Sequence, residues 1–153
     1  MVKTVKVFTV IFAITVLLLP KQADAIGNQV DTEQSHEVGA FTIFDPNFRY
    51  LDDGTGNLSN LGNGKVSVWG QTLGTRKVDT IGVQVTLQRW TGSEWIDVNT
   101  GDKITYSNAS YAFSSREISV LTGYYYRVKS RHWIDYDGVH EEGTVYSDSL
   151  LIK

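Results

Sequence analysis

A single decapeptide constrains this chain more than any other feature. In Ile81-Gly82-Val83-Gln84-Val85-Thr86-Leu87-Gln88-Arg89-Trp90 the apolar side chains Ile81, Val83, Val85 and Leu87 alternate with Gln84, Thr86 and Gln88. A period of two puts the sets on opposite sides of an extended strand, one buried and one wet. A helix would scatter the same residues around its circumference. Composition carries the argument to the remaining chain: beyond residue 25 there are three Ala, six Glu and no Met, against Val, Thr, Tyr and Trp throughout. That bias favours strands.

About seven strands are expected, at 37–44, 64–73, 80–90, 94–99, 111–119, 123–134 and 143–152. Thr91-Gly92-Ser93-Glu94 reads as the turn between the third and fourth, and Asp137-Gly138 as a tight hairpin between the sixth and seventh. Residues 45–63 hold Asp, Asn and Gly at turn density and read as a long loop pinned by Phe48, Tyr50, Leu51, Leu58 and Leu61. The expected fold is all-β, an immunoglobulin-like antiparallel β-sandwich over residues 37–153, with a jelly roll or irregular β-barrel as the alternative. Residues 26–36 are polar and read as a flexible leader.

The first residues read as an address. Lys3 and Lys6 supply positive charge, Val7 to Leu19 form an apolar run, and Pro20 precedes Ala23-Asp24-Ala25. These are the parts of a secretory signal peptide over residues 1–25, with its cleavage motif at Ala23 and Ala25. The run is shorter than the roughly 20 apolar residues that cross a bilayer. A secreted, extracellular chain starting at Ile26 is therefore expected, with no membrane attachment. Removing Lys3, Lys6, Lys21 and Asp24 leaves 11 basic and 16 acidic side chains, a balance with no general pull toward nucleic acid. The chain has no cysteine, which rules out disulfides, a thiolate nucleophile and thiolate metal ligands.

Tyr124-Tyr125-Tyr126 follows Leu121-Thr122-Gly123 at the start of the sixth strand. A Greek-key sandwich often ties back such a corner with a tyrosine hydroxyl, and Tyr124 or Tyr126 fits that role. Parity then divides the strand: Tyr124, Tyr126 and Val128 on one face, Tyr125, Arg127, Lys129, Arg131 and Trp133 on the other. With the first set in the core, three cations lie between two aromatics on the outside. Gln84, Gln88 and Trp90 of the third strand would extend that surface. Rings with guanidinium and amide donors suit a cell-envelope glycan or an anionic polymer, by stacking and charge-assisted hydrogen bonds. The competing reading is a solvated sheet face. Trp69 also points outward by parity and is expected to lie beneath the 45–63 loop.

Asp52-Asp53-Gly54-Thr55-Gly56-Asn57 and Asp135 to Glu141 offer oxygen ligands, but neither has the spacing of a calcium loop, and both read as turns. No metal or cofactor is expected. His36, His132 and His140 lie in no catalytic motif, so an enzyme is not expected, a hydrolase assembled from distant loops being the remote alternative. The sequons at Asn57 and Asn108 matter only where secreted Asn is glycosylated.

Phe44-Asp45-Pro46-Asn47-Phe48-Arg49-Tyr50, Leu61-Gly62-Asn63-Gly64-Lys65, Gln88-Arg89-Trp90-Thr91-Gly92-Ser93-Glu94-Trp95 and Gly123-Tyr124-Tyr125-Tyr126-Arg127 with His132-Trp133 resemble a family of small uncharacterised secreted proteins of spore-forming Gram-positive bacteria. The resemblance covers roughly 41 to 152. It implies an exported bacterial β-sandwich and no particular activity. The expected function is a binding or surface-interaction module at the cell exterior, with a structural matrix or assembly component as the alternative.

Overall fold

A computed structural model describes residues 42–153, and these are built of strands and turns. The signal peptide over 1–25 with Ala23 and Ala25, the leader over 26–36 and most of the first expected strand lie outside the described residues. The strands are β1 (Thr42–Ile43), β2 (Leu51–Gly62), β3 (Lys65–Trp90), β4 (Trp95–Thr100), β5 (Ile104–Ser119), β6 (Tyr124–Tyr136), β7 (Val139–Tyr146) and β8 (Leu150–Ile152). No helix occurs among the described residues, so none is long and apolar enough to cross a membrane.

All ladders are antiparallel and join one sheet through β3, which pairs with β2, β4, β5 and β6. The sheet curls into a half-barrel because β3 folds back on itself. Its first half turns Val66, Val68, Gly70 and Thr72 inward; its second half turns Ile81, Val83, Val85 and Leu87 inward. Even positions give way to odd ones across Gly74–Asp79, where the register with β5 shifts between Leu73 and Val78. The two halves then face each other across the core. At Gly70 a β-carbon would fall 2.8 Å from a Val85 methyl, so only glycine permits the approach.

Four expectations are corrected here. Residues 45–63 are not a long loop: Leu51–Gly62 is β2, paired with the first half of β3. Its glycines are demanded by packing, since a β-carbon at Gly54 would lie 2.6 Å from the His132 ring and one at Gly56 would lie 2.4 Å from Ser130 Oγ. Asn63-Gly64 closes the β2–β3 hairpin with φ of 52° and 67°, the left-handed pair that such a turn requires. Nor are 64–73 and 80–90 separate strands, because β3 is continuous through both. In addition β5 begins at Ile104 rather than 111, and the last expected strand is divided into β7 and β8. The Asp137-Gly138 hairpin is present, with φ of 50° and 74° and Tyr136 facing Val139.

The core gathers Val66, Val68, Ile81, Val83, Val85, Leu87, Val128, Ile134 and Ile152. Tyr126 is buried among them, and its hydroxyl donates to the Leu121 carbonyl at 2.9 Å, closing the corner before β6. Glu141 of β7 fixes the start of β2 by accepting from the backbone N–H groups of Arg49, Tyr50 and Leu51 at 2.6, 2.8 and 2.7 Å. Burial pushes its pKa up, but the three donors outweigh it and hold the carboxyl below its usual value.

Candidate functional site

The second half of β3 lies beside β6, and β7 flanks β6 on the other side, which assembles the outer face read from parity. Gln88 stands opposite Arg127, Gln84 opposite Arg131, and Lys129 opposite Tyr146. The Thr91–Glu94 turn returns the chain so that Trp95 of β4 faces Trp90, with ring centroids 5.4 Å apart.

Arg127 is the centre of this face. Its guanidinium lies 4.4 Å from the centroids of both Trp95 and Tyr146, and its Nε donates to Gln88 Oε1 at 2.8 Å. Gln88 in turn donates to Asp97 at 2.7 Å. The cation is thus oriented by rings and an amide, with no ion pair formed by it among the described residues. Partial burial lowers its pKa, while Tyr146 and Asp97 raise it.

The other two cations are paired. Lys129 Nζ lies 3.7 Å from Asp97, and Arg131 makes a two-pronged contact with Glu142. That contact holds the Glu142 carboxyl below its usual value. Glu142 also meets His140 Nε2 at 3.4 Å, while His140 Nδ1 lies 2.6 Å from Asp135. His140 is raised chiefly by its bond to Asp135.

The structure brings Trp90, Arg127, Lys129, Arg131 and Trp133 into one strip, with Tyr125 at its end opposite Leu151 of β8. Trp133 departs from the reading of an exposed ring. It is only 7% exposed, because Gly82 leaves a bare patch of β3 on which the indole lies, and a β-carbon there would fall 2.1 Å from it. Its ring supports Arg131, whose guanidinium is 5.4 Å from the indole centroid. Sequence reasoning missed Trp95, Asp97, Glu142 and Tyr146. The two hairpin turns held the signal, since counting strand partners outward from each turn places those residues on this face.

Trp69 is not covered by a loop, because the expected loop is β2. The indole is half-buried on the outer side of the first half of β3, 6.2 Å from Phe113, which is 6.4 Å from Tyr111. His132 is enclosed: its Nδ1 meets Thr72 Oγ1 at 2.7 Å and its Nε2 meets Ser130 Oγ at 2.8 Å. Thr72 donates its own proton to Gly82 O, so it accepts from Nδ1–H and leaves Nε2 to accept from Ser130. The Ser130–His132 pair is sealed from solvent. Glu141, one of the acidic residues considered as an oxygen ligand, has both oxygens occupied by backbone N–H groups. No cluster of three or more metal-ligating side chains forms among the described residues.

Compared with protein-family models, curated proteins and solved structures, the chain matches none.

Proposed function

We propose that this chain is exported from a bacterium and acts outside the cell as a non-catalytic binding module. Its ligand is a glycan or anionic polymer of the cell envelope, met by the outer face of β3, β4, β6 and β7. The observation that carries this reading is Arg127, clamped between Trp95 and Tyr146 and fixed by Gln88. A guanidinium held in place loses little freedom on binding and keeps its Nη donors for an acidic or hydroxyl oxygen. The rings on either side offer faces for stacking. An immunoglobulin-like arrangement is the finer reading of the fold, supported by the Tyr126 corner.

The test is a pull-down of the purified protein with isolated cell walls at 0.1 M and 1 M salt. Binding should weaken at the higher salt, since the Debye length falls from about 10 Å to about 3 Å. Arg127→Gln should remove most of it, while Arg131→Gln, which breaks a pair already satisfied by Glu142, should reduce it less. Failure of the parent protein to bind walls at either salt sinks the reading.

Self-assembly is the second reading, favoured by the aromatic row in which Tyr111 and Phe113 are exposed and Trp69 is half-buried. Association that grows with concentration and is lost in Phe113→Ser would identify it.

A further inference from the structure

β4 and the latter part of β5 both leave the same edge of β3. β5 pairs with Thr80–Val83 and with the first half of β3, whereas β4 pairs with Thr86–Trp90. No ladder joins β4 to β5 among the described residues, and the seam between them opens into clefts at the mouth of the half-barrel. One cleft, of about 190 Å³, is lined by Val98, Ile118 and Leu121 above the buried Leu87, and by Arg89, Asn99, Ser119 and Tyr126.

Arg89 is a poorly compensated cation. Its guanidinium stacks 4.7 Å from the Tyr124 ring centroid and lies near the Tyr126 hydroxyl, which spends its own proton on Leu121 O. It forms no ion pair among the described residues, and its Nε is buried without a partner. A donor in that state costs free energy unless something accepts from the group. The rim is apolar and open, with Leu121 62% and Val98 40% exposed. The neighbouring cleft, of about 330 Å³, also holds a half-buried arginine, Arg116. Its Nε is likewise buried without a partner, but Asp102 supplies the opposite charge there, and Arg116 Nη2 donates to the carbonyls of Val85 and Asn99. The uncompensated positive charge of the seam is therefore at the Arg89 end.

We infer that this mouth is a binding site for a carboxylate with a short apolar body, Arg89 taking the carboxylate and the side chains of Val98, Ile118 and Leu121 taking the body. A cation with apolar side chains on one side of it suits a ligand that is anionic at one end and apolar at the other. The site is separate from the outer face built around Arg127, so either can fail without the other.

Calorimetric titration of the full chain with octanoate tests it, with acetate and octanol as probes that lack the body and the charge. Octanoate should bind saturably and at least about tenfold more tightly than either. Arg89→Gln should weaken octanoate by at least about tenfold. Leu121→Asp, on the exposed rim, should do the same by repulsion and decides the matter if the Arg89 variant does not fold. Octanoate binding no tighter than octanol or acetate, or undiminished in Leu121→Asp, overturns the proposal.

Discussion

The inner and outer sides of β6 take alternate residues of one strand and keep their polar groups in opposite ways. On the inner side His132 and Ser130 are fully buried; with Thr72 they form a chain of hydrogen bonds among neutral groups. On the outer side Lys129, Arg131, Asp135 and, across the ladder, His140 and Glu142 are ionisable and matched by opposite partners. Water accounts for the difference. Where it is excluded, an unpaired charge costs far more than a neutral hydrogen bond; where it reaches, pairs form cheaply and stabilise little. The two histidines show this within one hairpin. Burial lowers His132 to about 4, whereas His140 is raised above its ordinary 6.5 by its bond to Asp135.

The largest test of this contrast is pH. Unfolded His132 titrates near 6.5 and folded His132 near 4, so the unfolded chain takes up the proton first as pH falls. Its contribution to stability is complete above about 6.5, is lost through the interval, and levels off near 4 after a loss of about 3 kcal/mol. Denaturation midpoints at several pH values should show the slope, and His132→Phe should remove it between 6.5 and 4.5. Below 4.5 Glu141 and Glu142, both held low, add losses of their own. His140 acts in the other direction: its raised value adds stability below 6.5 that is lost as pH climbs through the folded value. Its exposure keeps that term small.

Next in size is packing against the inner side. Gly54→Ala would push a β-carbon into the rings of Phe44 and His132, at an expected cost of about 2 kcal/mol in urea denaturation. A neutral result would mean that β2 can move away from β6 without loss. Smaller still is the corner: Tyr126→Phe should cost about 1 kcal/mol by leaving Leu121 O without its donor. Tyr125→Phe, on the outer side, should cost under about 0.5 kcal/mol, and a larger penalty there than at Tyr126 would invert the assignment of faces. A comparably small effect is expected at the outer pair, where Lys129→Gln should change stability by less than about 0.5 kcal/mol and salt should erase the change.

Alternation, turn chemistry and parity are properties of neighbouring residues, so they were legible in the sequence. They place a strand at 80–90, a hairpin at Asp137-Gly138, Tyr126 inside, and Arg127, Lys129 and Arg131 outside in one row. What required tertiary structure depended on residues distant along the chain. Gly54 and Gly56 look like turn residues because their reason for being glycine is His132 and Ser130, more than 70 positions away in each case. The continuity of β3 was hidden because its inward parity reverses midway, and a period of two cannot be read across a reversal. Trp133 is buried because Gly82 leaves room beneath it, and Arg131 is paired because β7 brings Glu142 alongside. Local sequence fixes which way a side chain points; only the folded neighbours decide whether water, a partner or another side chain meets it there.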